Sequence, residues 1–318
     1  MLKFVAGFLE RYRDRTLGDV FGDNNWVSIY DPALNWLNLP PKDFLDYAVR
    51  KPRFAFDGVP EDPNTFRNHP TFLILQAHRV WVTIEKIKAH LRNSRESVLV
   101  DLGAYPFTVD LAVRNYLNFD CRIVSTINQQ MQPEWVEPLR QNRIETVPVN
   151  LDPLVRPTTM IEGMTDYLPL KDNSADFVLF SHVVEHLYQP FSIIKEACRV
   201  LKPGGRLLIS TDNAFLIGGF LNYLTRGPFL HEPVDNTAAM VFTEWRGHVR
   251  FYSEGDLRTM VEKAGMHVVE SGFFEILYNS VLEDYFVDPA VRIPQWRVDL
   301  LTDNPELRNE VILVAEKR

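Results

Sequence analysis

The sequence predicts an α/β fold: a mostly parallel, seven-stranded sheet flanked by helices, with an N-terminal helical extension. Three observations predict it. Seven short apolar runs, each bounded by turn residues, read as strands. From residue 95 onward these runs alternate with segments of helical period, the pattern of strands joined by crossover helices. Ahead of them, residues 1–94 show helical patterns and Pro-rich connections but no strand pattern, so they form an extension or cap. The α/β domain takes residues 95–318, with an insertion at about 213–250 where the alternation breaks.

Residues 1–69 are rich in proline, asparagine and aromatics, and KDFLDYAVR at 42–50 reads as one of several short helices. Leu73, Ala77, Val80, Ile84, Ile87 and Leu91 then step by four and three, one face of a long helix. Pro70 suits its first turn, and Asn93-Ser94 ends it. Ser97–Leu102 is the first strand, and a helix follows over about 107–118. CRIVSTI (121–127), ETVPV (145–149) and DFVLF (176–180) are the next three strands. A helix is expected over roughly 184–201, stopped by Lys202-Pro203-Gly204-Gly205, with RLLIS (206–210) as the fifth strand. Ser253-Glu254-Gly255-Asp256 opens a capped helix that Gly265 ends, and HVVESGFFE (267–275) and EVILVAEK (310–317) complete the sheet.

With 46 % apolar residues in 318, the chain can bury a sizeable core. The formal net charge is −8 and no long basic run occurs, so no nucleic-acid partner is expected. The two cysteines, Cys121 and Cys198, lack metal-type spacing and suit a reduced, cytoplasmic setting. The N-terminus runs apolar then basic, the reverse of a signal peptide. No apolar run reaches the roughly 18 residues that span a bilayer. The longest apolar stretch, residues 214–224, is where a peripheral membrane contact would form.

In open α/β sheets ligands bind beyond the carboxyl ends of the strands. After the first strand stands Asp101-Leu102-Gly103-Ala104-Tyr105-Pro106-Phe107. Around the fourth comes LPLKDNSADFVLFSHVVEHLYQP (168–190), then EACRVLKPGGRLLIST (196–211) and HVRFYSEGDLRTMVEKAGMHVV (248–269). Over about residues 95–275, with the last strand added, these stretches resemble the class I S-adenosylmethionine (SAM)-dependent methyltransferases in order and spacing. The resemblance implies a Rossmann-like sheet, SAM as cofactor, and methyl transfer to an oxygen or nitrogen of a small-molecule acceptor. The divergent first motif and the apolar insertion at 213–250 suggest a sugar or lipid-linked glycan precursor as the acceptor.

Asp101 and Gly103 match the acid and first glycine of the family's first motif, whereas Tyr105 and Phe107 stand where further glycines would be. Tyr105 must then turn its side chain away. The resemblance implies cofactor contacts at Asp101, Gly103, Ala104 and Tyr105. It implies another at Asn128, an amide where the family usually has a ribose-binding acid. Asn150, Asp152 and Asp166 compete for the adenine side, and Ser181 and His182 face the methionine part and the substrate.

His182 and His248 are the candidate catalytic residues, because histidine titrates near neutral pH and can take a proton from the acceptor. The plain reading of each is a solvated surface histidine. The insertion, with Phe215, Phe220, Tyr223 and Trp245, would overhang the cleft as a lid; the plain reading is a helical packing element. His182-Val183-Val184-Glu185-His186 also spells H-x-x-E-H, a zinc-peptidase spacing. The sequence offers no third ligand, so no metal is expected. Tyr105, Phe107 and Asn128 support a rival reading: an inactive methyltransferase-fold protein serving as a scaffold or interaction subunit.

Overall fold

The computed structural model describes residues 25–50, 76–128, 131, 133–153, 161–219, 248–277 and 292–318. The strands are β1 (Trp26–Ser28), β2 (Val98–Asp101), β3 (Arg122–Ile127), β4 (Ile144–Pro148), β5 (Ala175–Ser181), β6 (Leu201–Asp212), β7 (Met266–Phe274), β8 (Arg292–Pro294) and β9 (Glu310–Lys317). The helices are α1 (Lys42–Arg50), α2 (Ala77–His90), α3 (Thr108–Asn115), α4 (Pro133–Gln141), α5 (Pro190–Val200), α6 (Glu254–Lys263) and α7 (Gln295–Asp303). Seven strands form one sheet in the order β4-β3-β2-β5-β6-β9-β7, and β1 pairs with β8 in a separate two-stranded sheet. In the large sheet β9 runs antiparallel to both of its neighbours, and the remaining pairs are parallel. The expected fold class is the observed one.

Both faces of this sheet are covered, so its strands read as continuous apolar runs. Alternate residues serve opposite faces. Leu99, Phe177, Leu179, Leu208, Ile312 and Val314 pack beneath α1, α2 and α3. Val100, Val178, Phe180, Leu207, Ile209 and Leu313 join the other core, with Ile193 and Ala197 of α5 and Leu257 and Val261 of α6.

Register sets the site. Asp101 lies opposite Ser125 and Leu179, Ser181 opposite Ser210, and Asp212 opposite Glu310. The carboxyl ends of β2, β3, β5 and β6 thus share one edge, and the antiparallel β9 contributes its first residue there. The chain order reverses direction at β2, which puts the switch point between β2 and β5.

Several expectations need correction. The helix expected over 184–201 is broken: Val184–His186 is a single 3-10 turn, and α5 starts only at Pro190. Pro190 has no N–H and its ring disfavours a helical Gln189, which lies at φ −128°, ψ 63°. Lys202–Gly205 is a looped-out stretch inside β6, since pairing with β5 jumps from Leu201 opposite Ala175 to Arg206 opposite Phe177. The N-terminal extension holds a strand as well as helices. Strand β1, helix α4 and helix α7 had no sequence expectation. The N-terminal apolar-basic stretch, Pro70, Leu73 and insertion residues 220–247 lie outside the described residues. Among the described residues no helix is long and apolar enough to cross a membrane.

Candidate active site

The turn after β2 begins with Gly103 at φ 73°. Its N–H donates to Thr126 Oγ1 at 2.8 Å, and the Ala104 N–H donates to Thr126 O at 3.2 Å, so β3 holds the turn. A Cβ on Gly103 would come within 2.8 Å of Val183 Cγ2 and 3.6 Å of Leu151 Cδ1. Glycine is needed here for its backbone angle and for the close approach of the turn after β5. Tyr105 turns its ring onto Trp135 of α4, with centroids 4.5 Å apart and planes at 21°. Phe107 takes a left-handed backbone at φ 63° with its ring fully buried, edge-on to Trp135. The rings at the two non-glycine positions therefore pack against α4.

Asp101 points inward. Its buried carboxyl hydrogen-bonds Asp110 of α3, which also accepts a short bond from Ser125 Oγ. Burial first, then the neighbouring Asp110 charge, raises Asp101 well above the usual carboxylate range; burial pushes Asp110 up to about 6. Two buried carboxyls this close hold a proton more readily than an isolated one does.

Asn128 is exposed at the end of β3. The three residues that compete after β4 form one cluster. Asn150 Nδ2 donates to Asp166 Oδ1 at 3.0 Å, and the Asp152 N–H donates to Asn150 Oδ1 at 3.2 Å. Asp152 Oδ2 in turn accepts from the Tyr188 N–H at 2.9 Å, tying this cluster to the turn after β5. Asp166 is exposed and Asp152 is buried.

The turn after β5 carries the densest polar cluster. Ser181 Oγ and Ser210 Oγ are hydrogen-bonded at 2.7 Å. His182 adopts φ 53°, its N–H donating to Ser210 O at 2.8 Å. Its ring is buried, unlike that of a solvated loop histidine. Nε2 lies 2.9 Å from Glu310 Oε1 and Nδ1 lies 3.4 Å from Glu185 Oε1. Burial opposes the charged imidazole, but the Glu310 and Glu185 carboxylates raise its pKa to about 9. Glu185 is fully buried and accepts from Thr211 Oγ1 at 2.9 Å. Burial would raise its pKa, yet His182, His186 and His248 hold it below the usual carboxylate range.

His248 joins the same cluster. The Val249 and Arg250 N–H groups donate to Glu185 O at 2.7 and 3.3 Å, which pins the segment against the turn. The His248 ring meets His186 edge-on at 4.8 Å, and its Nδ1 lies 3.3 Å from Asp212 Oδ2. The structure thus brings His182 and His248 together, and adds Asp212, Glu310 and the nearby Arg79 of α2, which sequence reasoning missed. Glu185, His186 and His248 place ligand-type atoms within 4.8 Å of one another, and His182, Asp212 and Glu310 do the same. A cavity of about 490 Å³, lined by Leu187–Ser192, Val249, Arg250, Tyr252 and Met260, opens next to them.

The strand ends fit SAM in outline. The glycine turn has no Cβ where its neighbour comes close, amide and carboxyl groups stand after β3 and β4, and a polar cluster follows β5. The rings of Tyr105 and Phe107 are turned away into α4 packing, so they leave this arrangement in place.

The family model described as "Methyltransferase domain" matches residues 89–271. Over 152 residues the chain is 28 % identical to a probable S-adenosylmethionine-dependent methyltransferase of Mycolicibacterium smegmatis, covering 45 % of this chain and 52 % of that one. It is 27 % identical over 130 residues to a malonyl-[acyl-carrier protein] O-methyltransferase of Marinomonas sp., covering 41 % and 43 %. The matches span about half the length of these relatives. A solved SAM-dependent methyltransferase from Archaeoglobus fulgidus is 14 % identical, with a TM-score of 0.45, over 77 % of this chain and 99 % of that one. The family match takes in more than half of the chain, including the glycine turn, the histidine turn and the capped helix α6; the chain belongs to the methyltransferase-domain family, whose methyl donor is SAM.

Proposed function

We propose that this chain transfers a methyl group from SAM to an oxygen or nitrogen atom of a small-molecule acceptor. The observation that carries the reading is the meeting, on one sheet edge, of the Gly103 turn with the cluster of His182, Asp212 and His248 beside a ligand-sized cavity. When bound, SAM supplies a methyl group already activated on a sulfonium, so the protein mainly aligns donor and acceptor. Gly103 and Ala104 would hold the methionine part through the backbone, with Ser181 beside it. Asn128 would hold the ribose hydroxyls. Asp152 or Asp166, with Asn150, would take the adenine side.

The geometry divides the histidine roles. Both ring nitrogens of His182 face carboxylates, so His182 is a positioning residue. Asp212 is the better-exposed carboxylate of the cluster, with 19 % side-chain exposure against 0 % for Glu185 and Glu310. It is placed to receive the acceptor's proton, with His248 orienting it. The cavity combines Tyr188, Phe191 and Tyr252 with Gln189 and Arg250, a lining that suits a polar ring such as a sugar. Neither cysteine forms a disulfide, in keeping with a cytoplasmic setting.

One rival is a scaffold that has lost the donor, and it rests on the residue types Tyr105, Phe107 and Asn128 in place of the family's glycines and acid. Calorimetric titration with SAM and S-adenosylhomocysteine decides between them. Micromolar binding of both is expected; binding of neither overturns the enzyme reading in favour of the scaffold.

A further inference from the structure

We propose that the acceptor is an anion, a small polar molecule whose carboxylate or phosphate group is held by Arg250. The proposal rests on the function stated above and names the substrate class of that site. The cavity beside the histidine cluster, about 490 Å³, falls in the size range of small-molecule sites. Among the described residues its lining carries one cation, the Arg250 guanidinium, and no carboxylate. The chain as a whole has a formal net charge of −8, so a cationic lining runs against its composition. The carboxylates of the neighbouring cluster, Glu185, Asp212 and Glu310, face His182 and His248.

Arg250 is held ready for a ligand. Its guanidinium lies over the Tyr252 ring, 5.3 Å from the centroid. Tyr252 is buried and tied to the chain leaving β6, since the Ala214 N–H donates to Tyr252 O at 3.0 Å. The Arg250 N–H donates to Glu185 O at 3.3 Å, which fixes the backbone as well. A guanidinium over an aromatic face keeps its in-plane donors available for the two oxygens of a carboxylate or phosphate. Its ion partner within the chain is weak. Asp256 Oδ1 stands 4.0 Å away, with both side chains exposed. Asp256 Oδ2 is taken up by the Ser253 N–H and Oγ at 3.0 and 2.7 Å. An exposed pair at that distance contributes little and gives way to a better-placed anion.

The position suits the reaction. His248, two residues before Arg250, has its Nδ1 3.3 Å from Asp212 Oδ2. Two residues of chain span at most about 7 Å, so one small molecule can meet both the Arg250 anchor and the Asp212 side. The first turn of α5 adds to the same preference. Pro190, Phe191 and Ser192 line the cavity, the turn holds no acidic residue, and Gln189 gives it no side-chain cap. The positive end of a helix favours negative charge nearby.

The test uses the full chain and calorimetric titration with glucuronate, glucose 6-phosphate and glucose, which share a ring and differ in charge. Each is titrated with and without S-adenosylhomocysteine. At least one of the two anions should bind at least tenfold more tightly than glucose, and which one does so separates carboxylate from phosphate. Arg250→Gln should remove that advantage, and Arg250→Lys should restore only part of it, because an ammonium cannot form the planar fork. The Arg250 side chain is 64 % exposed, so neither change disturbs the core. The affinity for S-adenosylhomocysteine should be the same in both variants as in wild type. Glucose binding as tightly as both anions, no binding of any of the three, or an anion preference that survives Arg250→Gln overturns the proposal. Because the sugars are also titrated alone, failure of S-adenosylhomocysteine to bind removes the methyltransferase reading separately from the anion site.

Discussion

Gly103 and Val183 touch across the mouth of the sheet: a Cβ on the glycine would sit 2.8 Å from Val183 Cγ2. Val183 is β-branched and cannot swing its methyl groups aside cheaply. Gly103→Ala therefore combines this overlap with a left-handed backbone at φ 73°, which alone costs roughly 1–2 kcal/mol. Urea unfolding should show a loss of about 2–4 kcal/mol, with SAM affinity reduced as the turn shifts. Adding Val183→Ala should recover the steric share but not the backbone share. Strict additivity of the two changes would show that the contact does not matter.

Arg114 of α3 is the hub beneath the opposite end of β3. Its guanidinium donates to Asn142 O at 2.8 Å, Cys121 O at 2.7 Å and Arg143 O at 3.4 Å, and also to Phe119 O. These carbonyls belong to the turns that enter β3 and leave α4. Arg114→Ala strands several of them and should cost about 2–4 kcal/mol in chemical denaturation. Arg114→Lys should recover little, because one ammonium cannot reproduce a planar fork. Full rescue by lysine would assign the effect to charge instead.

What the sequence revealed and what it hid differ in a physical way. β5, β6 and β9 were legible because both faces are buried and the apolar runs are unbroken. The helix at 253 was legible because its cap is local: Ser253 and Asp256 exchange bonds three residues apart. The helix expected from 184 ran too far because its apolar spacing concealed what Pro190 does to Gln189. Strands β1 and β8 have three residues each, too few for any period to show. The site was half legible. His182 was marked by its place just beyond a strand end, and His248 by its place ahead of the helix at 253. Asp212 and Glu310 were not, because only the antiparallel register of β6 and β9 sets them opposite each other.

The Asp101–Asp110 pair makes stability fall with pH. Burial raises both carboxyls, Asp110 from 3.8 to about 6. A group with a raised folded-state pKa gives stability that is full below the unfolded value and lost as pH rises through the folded one. Asp101→Asn keeps a neutral hydrogen-bond donor beside Asp110 and removes one ionisable carboxyl. The variant should gain about 1 kcal/mol or more at pH 8 and lose the decline between pH 4 and 7. Denaturation midpoints across that range check it; an unchanged slope would show that both carboxylates ionise without cost.

His78 works in the opposite sense. It is fully buried on α2, where its Nδ1 accepts from the Leu277 N–H at 3.1 Å and its Nε2 faces Leu37 O at 2.8 Å. That pairing requires the neutral ring with its proton on Nε2. Burial, only partly offset by the Leu37 carbonyl, lowers its pKa from 6.5 to about 4. The stability it contributes is therefore full above 6.5 and lost as pH falls through about 4, on the order of 3 kcal/mol at most. Over this window the histidine and the aspartate pair oppose each other, so the wild-type curve is flatter than either part. The difference between wild type and each variant separates them. For His78→Gln the wild-type advantage should grow from pH 4 to 6.5; for Asp101→Asn it should shrink over the same range. The histidine links Leu37 of the N-terminal segment to the end of β7, so a parallel loss of protection at Leu277 in hydrogen exchange below pH 5 should accompany the first effect. Difference curves of the same sign would mean that one of these groups titrates in the folded protein as it does in the unfolded chain.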